Sequence, residues 1–89
     1  MQYDGNKSIR LSRHAQEQCQ ERGATEDEVK TAIIEARWAI VRDNRFECKY
    51  SFQFNALWGN KYYAIKEVRP IFVEEDNEIV VITIYTYYN

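Results

Sequence analysis

Residues 78–88 read EIVVITIYTYY, and this stretch decides the fold class. Ten of its eleven residues are β-branched or aromatic, the residue types that favour strands. Val80, Ile82 and Ile84 alternate with a second set, Ile79, Val81, Thr83, Tyr85 and Tyr87. Because both sets are largely apolar or aromatic, the pattern predicts a central strand covered on both sides.

Residues 45–55, further towards the N terminus, alternate cleanly and predict a longer strand. One face would carry Phe46, Cys48, Tyr50, Phe52 and Phe54, and the other Arg45, Glu47, Lys49, Ser51 and Gln53. Residues 38–42 predict a short strand, 56–60 a loop, and 61–68 a third long strand that Pro70 ends or bulges. Residues 75–77 form the turn into the last strand.

The N-terminal third predicts two helices after a loose lead-in of eight residues. Ser12 is a good N-cap for a helix over 12–22, and Gly23 stands where a left-handed residue ends it. Thr25 and Glu28 form a capping box that starts a second helix, to about residue 37. The apolar stripes of the two helices are Leu11, Ala15 and Cys19, and Val29, Ala32, Ile33 and Ala36.

These elements predict one α+β domain over residues 1–89. The two-helix hairpin would pack on one face of a three- to four-stranded, mainly antiparallel sheet. We expect its core to include Val29, Ile33, Phe52, Ile82 and Ile84.

Composition narrows the functional classes. No apolar run approaches the roughly 20 residues of a membrane helix, and the polar start lacks a signal-peptide core, so we expect a cytoplasmic protein without membrane contact. Cys19 and Cys48 fit no metal or redox spacing and are expected to be reduced and buried. The net charge is −2, so nucleic-acid binding would require a local basic patch.

His14 is the only histidine and shares one helix face with Gln18 and Arg22. Histidine titrates near neutrality, which makes His14 an acid–base candidate; the alternative is a boundary histidine that packs its ring. The polar face of residues 45–53, beside Thr83 and Tyr85, could hold a phosphodiester. The alternative, which is the commoner outcome for such a face, is a solvated surface of ion pairs. Tyr85, Tyr87 and Tyr88 would then pack across strands, or they could form a stacking platform for exposed bases.

Residues 11–15 (LSRHA), 21–29 (ERGATEDEV) and 80–85 (VVITIY) together resemble a small bacterial family known as domain of unknown function forty-two fifty-eight. The resemblance covers residues 9–86. It implies a fold similar to the RelE, BrnT and barnase-like ribonucleases, and a partner antitoxin encoded nearby. His14, Arg22, Thr83 and Tyr85 occupy the motif positions, and the strand patterns add Lys49 and Lys66.

Two functions therefore stand as hypotheses. The first is a metal- and cofactor-independent endoribonuclease toxin, with His14, Arg22 and Tyr85 as catalytic residues and Lys49, Lys66 and Thr83 as RNA-binding residues. The second is a non-catalytic module of the same fold that binds another protein or dimerises through its aromatic strand.

Overall fold

The computed structural model describes residues 2–89 and shows two helices packed on a six-stranded sheet. In chain order the elements are β1 (Ser8–Leu11), α1 (Arg13–Arg22), α2 (Glu26–Glu35), β2 (Ala39–Arg42), β3 (Arg45–Glu47), β4 (Tyr50–Trp58), β5 (Lys61–Glu74) and β6 (Glu78–Tyr88). The predicted α+β class is confirmed. The predicted strand number is wrong, because the sheet has six strands and is mixed, with one parallel pair.

Both helix starts follow the predicted chemistry. The Ser12 side chain accepts from the Ala15 amide, and α1 ends at Gly23 with φ 77°. At Thr25 both hydrogen bonds of the capping box form with Glu28. The helix α2 ends at Glu35, two residues earlier than predicted.

The sheet order is β1-β6-β5-β3-β2, and β4 pairs with β5 on the same edge as β3. The predicted strand over residues 45–55 is therefore two strands, interrupted at Cys48 and Lys49. Its alternation is confirmed nonetheless, since Phe46 and Cys48 are buried beneath the helices while Lys49 and Ser51 are exposed.

The sequence predicted a loose lead-in over the first eight residues and did not predict the strand β1. This strand pairs in parallel with β6, from Ser8 opposite Glu78 to Leu11 opposite Val81. Arg10 donates two hydrogen bonds to the Glu78 carboxylate, at 3.0 and 3.2 Å, which lowers the pKa of Glu78. Four residues of mixed polarity carry too little periodicity to predict a strand whose partner lies 70 positions away.

The sequence predicted that Pro70 either ends its strand or marks a bulge. The strand β5 continues through Pro70 to Glu74, so the first of these predictions is wrong. Pro70 lies opposite Ile84 of β6 and faces the break between β3 and β4, where its carbonyl accepts from the Cys48 amide. Because no strand residue is paired with it on that side, its missing N–H leaves the ladder intact.

A bulge at Ile82 changes the alternation of β6. Phe72 of β5 pairs with Val81, but the preceding Ile71 pairs with Thr83, so Ile82 is the extra residue. Ile79, Val81 and Ile84 are consequently fully buried against the helices, whereas Ile82 is only half-buried. The predicted core position of Ile82 is wrong, and Phe52 is also only half-buried, while Val29, Ile33 and Ile84 are confirmed.

The β4–β5 hairpin extends past the helices as an arm of residues 55–63. A bulge between Gln53 and Ala56, with Asn55 at φ 47°, bends the arm towards the helix side. There the Trp58 ring stacks on Tyr88, with centroids 4.9 Å apart and planes at 12°. The predicted loop over residues 56–60 is thus largely strand, and only Gly59 and Asn60 form the turn.

Both cysteines are free and buried, as predicted. The Cys48 thiol donates to the Ala32 carbonyl at 3.4 Å, and burial raises its pKa to about 12. No helix within residues 2–89 is long and apolar enough to cross a membrane.

Candidate functional site

Arg22 and Tyr85 meet at an open edge of the sheet. Pairing between β1 and β6 stops at Val81, so the backbone of Ile84 has no neighbouring strand on that side. Two side chains of α1 take its place: Gln18 accepts from the Ile84 amide and Arg22 donates to the Ile84 carbonyl, both at 2.9 Å. The helix thereby caps a strand edge that would otherwise expose backbone polar groups.

The same geometry carries Arg22 around the edge onto the other face. Ile84 points towards the helices and is buried, so Tyr85 points to the helix-free face, where it is 38% exposed. The guanidinium carbon of Arg22 lies 5.0 Å from the centroid of the Tyr85 ring, in a cation–π contact. Two of the three predicted catalytic residues are therefore in direct contact.

His14 does not join them. It is exposed in the first turn of α1, two helical turns from Arg22, a distance of about 12 Å by helix rise. Gln18 lies between them and is buried. Within residues 2–89, His14 forms no hydrogen bond or ion pair, so its imidazole is open to solvent.

The predicted RNA-binding residue Lys66 is instead part of the interior. Its ammonium donates to the Gly23 carbonyl at 2.8 Å and lies 2.8 Å from the Glu28 carboxylate and 5.2 Å from the centre of the Phe54 ring. Only 6% of its side chain is exposed. Lys66 thus neutralises the carbonyl end of α1 and the acidic start of α2, and its charge is not available to a ligand.

Thr83 also has an internal partner, because its hydroxyl donates to the Gln18 side-chain oxygen. This bond orients Gln18 towards the Ile84 amide and gives Thr83 a supporting position beside the Arg22–Tyr85 pair. Lys49, the remaining predicted RNA-binding residue, is exposed at the break between β3 and β4.

Lys49 borders a pocket of about 160 Å³ near the β3–β4 break. The pocket is lined by Arg37, Ala39, Glu47, Cys48, Lys49 and Arg69. Three of these residues are cationic and one is acidic, so the pocket is locally basic in a chain with a net charge of −2.

Arg69 connects this pocket to the tyrosines of β6. Its guanidinium carbon lies 5.2 Å from the Tyr87 ring centroid, and its backbone pairs directly with Tyr85. The Glu67 carboxylate lies 3.7 Å from the Arg69 guanidinium, which is a long distance for an ion pair. Cations and exposed aromatic rings therefore alternate along the helix-free face, from Arg22 to the pocket.

Sequence reasoning placed Tyr87 beside Tyr85 but missed Arg37 and Arg69 as members of the same surface. Arg69 could have been recognised because it alternates with Val68 and Pro70 along a strand. The predicted strand ended near residue 68, so Arg69 was not included in it. The position of Arg37 depends on how β2 returns after α2, which no local pattern reveals.

Within the described residues 2–89, no group of three or more His, Cys, Asp or Glu side chains is placed to hold a metal ion. No family model, curated protein or solved structure matches this chain. The RelE-like architecture accordingly stays a hypothesis that rests on the sequence resemblance over residues 9–86.

Proposed function

We propose that this chain is an endoribonuclease toxin that cleaves RNA by attack of the 2′-hydroxyl on the adjacent phosphate. The observation that carries the proposal is the contact between Arg22 and Tyr85 at the open edge of β6. It combines a cation with a phenol on an accessible surface, and both residues occupy motif positions of the sequence resemblance.

Arg22 supplies the cationic clamp. A guanidinium has five N–H donors, and the Ile84 carbonyl takes one of them at Nη1. That bond and the Tyr85 ring hold the group in place, and the remaining donors are free to bind phosphate oxygens in two-point geometry. Charge that develops on the phosphate during attack would be stabilised there.

Proton transfer falls to Tyr85 and His14. A base removes the 2′-hydroxyl proton as the O2′–P bond forms, and an acid protonates the departing O5′ as the P–O5′ bond breaks. The products are a 2′,3′-cyclic phosphate and a 5′-hydroxyl, and no redox or metal step is needed. Tyr85 adjoins the clamp. His14 lies about 12 Å from Arg22 along α1, so it takes part only if the O2′ or O5′ of the same phosphodiester lies between its imidazole and Arg22.

The test is cleavage of a labelled single-stranded RNA in EDTA. We expect His14→Ala to reduce the rate by about 10²–10⁴-fold, the usual contribution of a positioned acid or base. Arg22→Gln should reduce it by about 10²–10³-fold, as for loss of a transition-state donor. Tyr85→Phe removes only the hydroxyl and reports on proton transfer.

Matched controls separate chemistry from folding. Arg13→Gln removes the same charge from the exposed start of α1, and Tyr62→Phe removes a hydroxyl from the distant arm; neither should change the rate. Absence of cleavage by the wild type, or equal rates in all variants, would contradict the proposal.

The proposed biological setting is a cytoplasmic toxin–antitoxin pair. Induced expression should slow bacterial growth, His14→Ala should relieve the effect, and co-expression of a small protein encoded beside the gene should do the same. Normal growth with intact transcripts would remove the toxin assignment.

A second candidate, a dimerising or protein-binding module, is favoured by β2. This edge strand is exposed along its length, with Ile40 at 67% and Val41 at 44% of their surface open. Exposed apolar edges are sites of strand pairing between chains. Sedimentation of the wild type and of Ile40→Lys tests it: a dimer lost in the variant supports this candidate, and a wild-type monomer opposes self-association.

A further inference from the structure

We infer that the pocket bordered by Arg37, Lys49 and Arg69 binds a backbone phosphate of single-stranded RNA whose bases stack on Tyr87 and Tyr85. The inference rests on the proposed function for the identity of the ligand. It does not depend on cleavage, because it concerns a binding surface apart from His14.

The cations that line the pocket are largely without acidic partners. Among residues 2–89, neither Arg37 nor Lys49 forms an ion pair, and Arg69 has only the 3.7 Å contact with Glu67. The Glu47 carboxylate also lines the pocket and offsets one of the three cations. The remaining positive charge converges on one concave site, whereas the chain as a whole is acidic.

An exposed aromatic surface lies next to the pocket. Tyr85 and Tyr87 lie on the same face of β6 and are 38% and 43% exposed. Arg69 belongs to both surfaces, since it lines the pocket and lies over the Tyr87 ring. Proteins that bind single strands combine a cationic track for the backbone with rings on which unpaired bases stack, and this face has both.

The positions of Arg22, the tyrosines and the pocket define a path for an RNA strand. Arg22 lies against Tyr85 at the open edge, Arg69 of the pocket pairs with Tyr85 from β5, and Tyr87 lies two residues further along β6. An RNA strand that crosses Tyr85 would therefore run between the Arg22 clamp and the pocket, with the Tyr87 ring beside Arg69 as a second stacking surface. The pocket would hold a phosphate outside the cleaved bond and fix the register of the strand.

The experiment uses a fluorescent oligonucleotide of 2′-O-methyl RNA, which resists 2′-hydroxyl attack, and measures anisotropy over a range of salt concentrations. Arg37→Gln/Lys49→Gln should weaken binding at least about tenfold. It should also lower the slope of log affinity against log salt by about 0.7 for each lost phosphate contact. Inorganic phosphate should compete weakly with the wild type and not with the variant.

The matched control is Arg13→Gln/Lys30→Gln, which removes two positive charges from the exposed helix surface. It should change affinity less than about twofold, because neither residue lines the pocket. Arg37→Lys/Lys49→Arg keeps both charges and should retain most of the binding, which guards against a loss caused by misfolding.

Each outcome is decisive. Equal loss in the two double-glutamine variants would overturn the pocket, even if the wild type cleaves RNA. Binding with the predicted variant pattern but without cleavage of natural RNA would retain the pocket and remove the nuclease. Binding of a poly-glutamate peptide as tight as the oligonucleotide would overturn RNA as the ligand, and no binding by the wild type would overturn both proposals.

Discussion

Lys66 illustrates how a single buried charge joins separate parts of the chain. Its ammonium contacts the turn between the helices, the Glu28 carboxylate and the Phe54 ring. Removing one member of a buried pair leaves the other without compensation, which is more costly than losing a surface pair.

We expect Lys66→Ala to lower the free energy of unfolding by about 2–4 kcal/mol, somewhat less than the roughly 3–5 kcal/mol of a fully buried pair, because Glu28 is 21% exposed. Lys30→Ala breaks the exposed pair with Glu26 and should cost only about 0.3–0.5 kcal/mol. Urea unfolding of both variants measures the difference. Similar losses would show that the Lys66 ion pair contributes no more than a surface pair.

The buried thiol of Cys48 makes the stability of the fold depend on pH. Burial raises the pKa of this thiol from its ordinary value to about 12, so the folded state holds the proton more tightly than the unfolded chain. The resulting stabilisation is complete below about pH 8.5 and is lost as the pH rises towards 12.

The stability difference between the wild type and Cys48→Ala should therefore shrink between about pH 8.5 and 11, although other groups titrate in both proteins. Thermal unfolding of the pair across this range is the measurement. A constant difference would show that the Cys48 thiol ionises equally in the folded and unfolded states.

At the scale of elements, the bulge in β6 decides which aliphatic side chains stabilise the fold. Val81 is fully buried, while Ile82, the extra residue, is half-buried on the opposite face. We expect Val81→Ala to cost about 2–3 kcal/mol, and Ile82→Ala about 1 kcal/mol although it deletes the larger side chain. The denaturant midpoints of the two variants measure which substitution is more destabilising. A larger loss for Ile82→Ala than for Val81→Ala would place the bulge elsewhere.

The bulge also shows where sequence reasoning reached its limit. The extent of β6, both helix caps and the alternation of residues 45–53 follow from local chemistry and could be predicted. A bulge depends on how two strands pair, so strict alternation placed Ile82 in the core. The same limit applied to β1 and to Pro70, whose partners are distant in the sequence.

The candidate site could likewise be predicted only in part. Arg22 and Tyr85 could be singled out from the sequence, and the open edge of β6 explains why they meet despite lying on different layers. The burial of Lys66 could not be foreseen from its residue type, although its alternation places it on the same face as Val68, because its partners Gly23 and Glu28 lie in the helix hairpin, distant in the sequence.

For the whole molecule, the arm of residues 55–63 is attached to the helix layer through Trp58, which contacts Gly23 and Tyr88. A Cβ added to Gly23 would stand 2.6 Å from the Trp58 ring, which shows how closely the arm packs on the helix turn. We therefore expect the arm and the core to unfold together rather than as separate units.

In a Trp38→Phe variant, Trp58 is the only tryptophan and reports on the arm, while helical circular dichroism reports on the core. The two signals should share one denaturant midpoint. An earlier fluorescence transition would show that the arm opens independently.

The parallel pairing of β1 with β6 sets the order in which the chain can fold. It joins Ser8 to Glu78, so this contact closes a loop of 70 residues, with an entropy cost of about 4 kcal/mol. The hairpins β4–β5 and β5–β6 close far shorter loops and can form first. Docking of β1 is then expected to be a late event of high contact order, and the Gln18 and Arg22 contacts that cap the Ile84 edge, which span 66 and 62 positions, are expected to form late for the same reason.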